Sequence, residues 1–158
     1  MDNIVVIDYG MGNLRSVQKA LQFLTKREVT VSGDPDIIRH AQRIVFPGQG
    51  AAGECMAELK RQHLDQLIPE LIREKPFLGL CMGLQVLMEF SEENDGTDCL
   101  GLFSGTVKRF QDEQLDQDGN RLKIPHMGWN QVYQTRAHAL WKDIPDQARF
   151  YFVHSYYV

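Results

Sequence analysis

The chain has 158 residues, 43% of them hydrophobic and 24% charged, which predicts one globular domain over residues 1–158. A net charge of −4 argues against nucleic acid or an anionic membrane as a partner. No apolar stretch approaches the roughly 20 residues that a membrane span requires. The three cysteines are widely spaced, which argues against a disulfide framework or a zinc site and favours reduced thiols in the cytoplasm.

The first half alternates short apolar runs with helical patterns. Four apolar runs predict strands: 3–8, 28–31, 43–46 and 76–80. The first three runs are rich in β-branched residues. Apolar residues at helical spacing predict helices from Leu14, over 36–40 after the capping pair Asp34-Pro35, and over 54–75 with a break near Pro69. A further helix is predicted after residue 81 from Leu84, Leu87 and Met88. This alternation predicts an α/β fold with a mostly parallel, doubly wound sheet.

The second half has a different character. An acidic loop covers Ser91–Asp98, and Asp118-Gly119 within Gln111–Ile124 is a strong hairpin turn signal. Arg149–Val158 is among the most aromatic stretches of the chain. We therefore expect antiparallel strands to be added to the parallel sheet in this half.

Cys81 lies in the sequence FLGLCMGLQ, with Gly79 and Gly83 two residues to either side. A cysteine between a strand and a helix stands at the apex of a tight turn, where flanking side chains would collide, so glycine suits both positions. The helix N-terminus behind the turn favours the reactive thiolate. The sequence predicts Cys81 as a nucleophile, although a buried structural thiol in a core turn is an alternative.

The loop PGQGAAG, Pro47–Gly53, also follows a predicted strand and should emerge at the same carboxyl edge of the sheet. A glycine-rich loop there can direct backbone N–H groups at a developing oxyanion, and a plain tight turn is the alternative. Gln85 lies one helical turn after Cys81, where it either contacts a substrate or is solvated.

A cysteine nucleophile usually takes a histidine as its base. His126 and His154 lie in the apolar segments KIPHMGWN and YFVHSYY. Either is also compatible with a histidine that is hydrogen-bonded locally, and the sequence does not choose between them.

GLCMGLQ after a strand, preceded by PGQG, resembles the class I glutamine amidotransferases, whose catalytic triad is Cys-His-Glu. Three further segments most resemble the glutaminase subunits that serve histidine biosynthesis: Ile7–Val17, Lys123–Asn130 and Tyr151–Val158. The resemblance covers essentially the whole chain. It implies a flavodoxin-like sheet and an enzyme that hydrolyses glutamine to glutamate and ammonia.

The resemblance also implies roles for individual residues. Cys81 would attack the glutamine amide, and Gln85, Ser155 and Tyr156 would line the glutamine pocket. The oxyanion would be stabilised by the backbone N–H groups of Gly48, Gln49, Gly50 and Met82. No metal or organic cofactor is implied, and the ammonia would pass to a (β/α)8-barrel cyclase subunit.

The family's catalytic His and Glu belong to a later F-H-P-E-type motif, which this sequence does not contain. His154 matches a different position of the family pattern. We therefore expect a C-terminally truncated domain that has little glutaminase activity and self-associates through exposed apolar sheet surface.

Two alternatives keep the fold and change the function. Paralogous amidotransferase subunits supply ammonia for the amidation of sugars in surface polysaccharides. A non-catalytic α/β binding module, with Cys81 as a structural or redox thiol, is the second alternative.

Overall fold

The computed structural model describes residues 3–115 and 118–158. These residues form two compact units, one built chiefly from the chain up to Lys108 and the other from Arg109–Tyr157. The interpretation of residues 1–158 as a single domain stays a prediction. In the described ranges, no helix combines the length and the apolar character needed to cross a membrane.

The first unit contains the parallel sheet that the sequence predicts. Its four strands are β1 (Asn3–Ile7), β2 (Glu28–Ser32), β3 (Arg43–Gly48) and β4 (Phe77–Cys81). They lie in the order β2-β1-β3-β4, and every neighbouring pair is parallel. Parallel strands share one carboxyl edge, so the residues that follow β3 and β4 come together there.

Helices cover both faces of this sheet. They are α1 (Leu14–Leu24), α2 (Pro35–Arg39), α3 (Ala52–Arg61), α4 (Leu64–Glu74) and α5 (Met82–Gln85). Helix α1 packs on the face that carries Val6 and Val29. Val5 and Ile7 point to the opposite face and are fully buried, while α2 contacts β1 and α4, and α3 contacts α4. The doubly wound arrangement is confirmed.

The predicted start of α2 is also confirmed. The Asp34 side chain accepts a hydrogen bond from the Asp36 backbone N–H at 2.8 Å, and Pro35 occupies the first helical turn. A cap of this kind typically stabilises a helix by about 1 kcal/mol.

The predicted helical break near Pro69 is wrong. The break falls at His63, which adopts a left-handed conformation with φ 56° between α3 and α4. Pro69 lies inside α4, where it removes one backbone hydrogen bond. The helix continues because Ile68 and Leu71 on either side of the proline are buried.

The helix predicted after Cys81 is shorter than its apolar spacing suggests, since α5 comprises only four residues. The N–H groups of Leu87 and Met88 bond carbonyls three residues back, and that of Glu89 bonds the Gly105 carbonyl at 3.1 Å. The chain leaves the helix there to form short strands: β5 (Phe90–Ser91), β6 (Thr97–Asp98) and β7 (Thr106–Arg109). Strand β5 pairs antiparallel with β6 and parallel with β7.

The antiparallel strands expected in the second half are confirmed. Strands β8 (His126–Val132) and β9 (Ala148–His154) form an antiparallel pair, and β10 covers Tyr156–Tyr157. An antiparallel bridge joins Leu115 and Arg121 on either side of the predicted Asp118-Gly119 turn. Residues 116 and 117 of that turn lie outside the described residues.

Candidate functional site

Cys81 stands at a sharp turn from strand to helix. It is the last residue of β4, and α5 begins at the next residue. Its backbone has φ 55° and ψ −117°, a conformation that costs a non-glycine residue on the order of 1–3 kcal/mol. Its side chain is exposed. The turn therefore presents the sulfur at the carboxyl edge of the sheet, the geometry of a nucleophile elbow.

The two glycines that flank Cys81 permit close backbone contacts. A Cβ atom on Gly79 would lie 2.8 Å from the carbonyl oxygen of Gly83. A Cβ atom on Gly83 would lie only 1.9 Å from the carbonyl oxygen of Phe46, on the neighbouring strand β3. Any side chain at Gly83 would push the elbow away from β3. The glycines on either side of Cys81 are therefore required by packing against the neighbouring strand as well as by the reversal of the chain.

The glycine loop after β3 lies beside the elbow, as the sequence predicts. Gly48 pairs with Cys81 in the strand register. A Cβ atom on Gly48 would meet the Gly83 backbone N and the Met82 Cβ, each at 2.9 Å. Gln49 continues the loop on the exposed side. The structure therefore brings together three of the predicted site residues, Cys81, Gly48 and Met82; their catalytic roles stay predictions.

Two buried side chains that the sequence reasoning did not single out lie beneath this loop. The Tyr9 hydroxyl donates to the Cys55 Sγ at 3.7 Å, and the Cys55 thiol donates to the Gln49 carbonyl oxygen at 3.6 Å. Tyr9 and Cys55 are both fully buried. Burial raises the pKa of the Tyr9 hydroxyl and of the Cys55 thiol, so both groups keep their protons at neutral pH.

The acidic loop supplies a cap for the helix that follows the glycine loop. The residue before α3, Ala51, makes no side-chain cap of its own. Instead, Glu93 Oε2 accepts from the Ala52 N–H at 2.8 Å, and Asn94 Oδ1 accepts from the Gly53 N–H at 3.2 Å. Sequence reasoning identified an acidic loop here but not its contact, which joins residues about forty positions apart.

Gln85 ends α5, one turn after the cysteine. Its Oε1 atom is buried and has no hydrogen-bond partner among the described residues. A buried amide oxygen without a partner is unfavourable, and a donor on a bound ligand would satisfy it. This is compatible with the predicted contact to substrate, which stays a prediction.

The second unit holds the other predicted pocket residues and the two histidines. His154 Nδ1 donates to the Tyr156 carbonyl oxygen at 2.9 Å, and its Nε2 is hydrogen-bonded to His126 Nδ1 at 3.0 Å. Both ring nitrogens of His154 are engaged, which confirms the local hydrogen-bonding alternative. The Ser155 carbonyl accepts from the Phe110 N–H at 3.0 Å. The roles of Ser155 and Tyr156 in binding glutamine stay predictions.

The sequence is similar to those of known proteins. The family model described as "Glutamine amidotransferase class-I" matches residues 5–158. An imidazole glycerol phosphate synthase subunit HisH from Pseudomonas putida is 56% identical over 158 residues, which are 100% of this chain and 74% of that protein. Subunit HisH 1 from Pseudomonas aeruginosa is 58% identical over the same shares.

A solved structure shows the same fold at low sequence identity. The crystal structure of a glutamine amidotransferase from Thermotoga maritima matches with a TM-score of 0.56 and 18% identity, covering 98% of this chain and 61% of that one.

Proposed function

Because this chain belongs to the class I glutamine amidotransferase family, we propose that Cys81 is the nucleophile in the hydrolysis of glutamine to glutamate and ammonia, and that residues 1–158, which contain no F-H-P-E-type motif, have little of this activity by themselves. The observation that carries this proposal is that Cys81 is exposed, has a backbone φ of 55° and lies beside Gly48 of the glycine loop. An apolar core thiol would not need a strained turn or an exposed position.

The reaction proceeds through two acyl-transfer steps. The thiolate of Cys81 adds to the side-chain amide carbon of glutamine, a C–S bond forms, and the amide oxygen takes up the negative charge. Backbone N–H groups of Gly48–Gly50 and of Met82 stabilise that oxyanion. When it collapses, the C–N bond breaks, the proton that the thiol lost is transferred to the nitrogen, and ammonia leaves. Water then cleaves the glutamyl thioester, which releases glutamate and restores the thiol.

Gln85, Ser155 and Tyr156 hold the glutamine in this proposal. The unpartnered Oε1 of Gln85 supports its role, since the α-ammonium or the amide of glutamine offers the missing donor. A predicted consequence is that replacing Gln85 with alanine weakens binding of glutamine more than it slows the chemical step.

The relatives' names support a place in histidine biosynthesis. The ammonia would pass to a (β/α)8-barrel cyclase subunit, which uses it to form imidazole glycerol phosphate. Direct transfer makes physical sense, because ammonia released into water at neutral pH would be protonated and lose its nucleophilicity. We propose a cytoplasmic location, since a cysteine nucleophile must be reduced.

A glutamine-analogue chloroketone, 2-amino-4-oxo-5-chloropentanoate, tests the nucleophile. Sulfur displaces chloride from the carbon beside a ketone, and mass spectrometry of digested protein locates the adduct. We expect selective labelling of Cys81, slowed by added glutamine, with Cys55 and Cys99 as internal controls. Equal labelling of all three cysteines, or labelling that glutamine does not slow, would rule the proposal out.

The partner is tested separately. The cyclase subunit encoded by the same genome should co-elute with this chain in size-exclusion chromatography, while the partner of a polysaccharide amidotransferase should not. The reverse result would favour the paralogous pathway.

A further inference from the structure

The buried thiol of Cys55 takes no part in the reaction proposed above, yet it lies directly against the loop that carries the oxyanion donors. It stands between the Tyr9 hydroxyl, 3.7 Å away, and the Gln49 carbonyl oxygen, 3.6 Å away. Tyr9 follows β1 and Cys55 lies in α3, so two separate elements meet under this loop. This arrangement is a three-membered hydrogen-bonded chain, not an isolated buried cysteine.

The donors and acceptors of this chain run in one direction. A carbonyl oxygen only accepts, so the Cys55 thiol must donate to Gln49. The sulfur then accepts from the Tyr9 hydroxyl. Both side chains are fully buried, and burial raises the pKa of each, so neither loses the proton that its hydrogen bond requires.

The orientation of the loop peptide follows from this contact. In a trans peptide, the carbonyl and the N–H of the next residue point in opposite directions. Because the Gln49 carbonyl points inward to Cys55, the Gly50 N–H points to the exposed side of the loop. Gly50 has φ 94°, which glycine adopts without strain. The Tyr9 hydroxyl also lies beneath Gly48, at 2.5 Å from the position of an added Cβ atom.

We propose that Tyr9 and Cys55 are positioning residues, which hold the Gln49–Gly50 peptide in the orientation that directs an N–H toward the oxyanion. This inference rests on the proposed glutaminase function, since it assigns these residues an effect on the charge that develops there. Tyr9 is anchored in turn by its ring, whose centroid is 5.3 Å from that of Phe46 on β3.

The variants Tyr9→Phe and Cys55→Ala each remove one link, and the first keeps the aromatic ring in place. The matched control is Cys99→Ala, because the Cys99 thiol also donates to a backbone carbonyl, that of Thr97 at 3.6 Å, and not to the Gln49 carbonyl. The double variant of Tyr9 and Cys55 tests whether the two residues act as one chain.

The measurement is the rate of alkylation at Cys81 by two reagents, followed by mass spectrometry. The glutamine-analogue chloroketone carries a ketone oxygen that uses the oxyanion donors, whereas iodoacetamide does not depend on them. We expect the chloroketone rate to fall about tenfold in each single variant, less than the 10²–10³-fold effect of deleting an oxyanion donor outright. The iodoacetamide rate should be unchanged, Cys99→Ala should react like the parent chain, and the double variant should be no slower than either single one.

Equal rates for the parent chain and both single variants with the chloroketone would overturn the positioning role. An equal fall with both reagents would also overturn it, because it would indicate general damage to the elbow. If the parent chain shows no selective chloroketone adduct at Cys81, the proposed function itself fails and this inference fails with it. If Cys81 of the parent chain is labelled selectively and the variants are labelled at the same rate, this inference is rejected and the proposed function is not.

Discussion

The three cysteines of this chain lie in three different surroundings. Cys81 is exposed at a strained turn, Cys99 is half-buried, and Cys55 is fully buried between a hydroxyl and a carbonyl. The flanking glycines predict the exposed position of Cys81 from sequence alone, because the steric demands of a tight turn act between residues that are close in the chain. Cys55 carries no comparable local signal, since its contact with Tyr9 spans 46 positions.

The buried pair predicts how stability depends on pH. The pKa of Cys55 is raised by burial from its ordinary value of 9.0, so its contribution to stability is fully present below that pH. Above it, the unfolded thiol ionises while the folded thiol stays protonated, and the free energy of unfolding falls by up to about 1.4 kcal/mol per pH unit. Cys55→Ala should flatten this fall above pH 9.0.

Urea denaturation across this pH range measures the effect. Tyr9→Phe should flatten the fall above pH 10.0, the ordinary pKa of tyrosine, because burial raises the pKa of the Tyr9 hydroxyl as well. The exposed Tyr133 offers the control Tyr133→Phe. Parallel pH profiles for the parent chain and for Cys55→Ala would show that the thiol is not held protonated by the fold.

At the scale of single elements, the bounds predicted from the sequence agree closely with the observed strands and less well with the observed helices. Each strand of the parallel sheet was predicted within two residues, because a short apolar run bounded by turn residues is a local signal. The helix predicted after Cys81 is too long, since Leu87 and Met88 are buried although the helix ends at Gln85. Pro69 by itself predicts a break, but its buried neighbours keep it within α4.

The elbow makes the sharpest prediction for an element. Gly83→Ala places a Cβ atom 1.9 Å from the Phe46 carbonyl oxygen, so the turn must move away from β3. We expect chloroketone labelling of Cys81 to fall by at least tenfold, since displacements of about 1 Å cost on the order of 10²-fold in reaction rate.

Gly53→Ala is the control for this substitution. Its added Cβ atom would lie 3.3 Å from the Asn94 side chain and 3.6 Å from the Thr97 hydroxyl, both of them side-chain ends. Gly53 also lies in a helix, where alanine is favoured. Normal labelling in both variants would show that the close contact at Gly83 does not position the cysteine.

At the scale of the whole molecule, the sheet was predictable and the network beneath the site was not. Parallel topology follows from the alternation of strands and helices along the chain. The hydrogen-bonded chain through Tyr9 and Cys55 and the capping of α3 by Glu93 depend on which distant segments the folded chain brings together. A single sequence does not show such pairings.

The core of the first unit should be anchored by Phe46. Its ring is fully buried and contacts those of Tyr9 and Phe77, with centroids at 5.3 and 5.9 Å. We expect Phe46→Ala to lower the free energy of unfolding by about 3–5 kcal/mol in chemical denaturation. Phe23→Ala, at a residue that is 88% exposed, should change it by less than about 0.5 kcal/mol. Similar losses in both variants would contradict the assignment of Phe46 to the core.

The most direct measurement is a crystal structure of the chain after reaction with the glutamine-analogue chloroketone. The account predicts a covalent bond to Cys81 Sγ and a ketone oxygen about 2.7–3.1 Å from the backbone N of Met82 and from a backbone N of the Gly48–Gly50 loop. A ketone oxygen that faces solvent, away from both groups, or an adduct on another cysteine would contradict it.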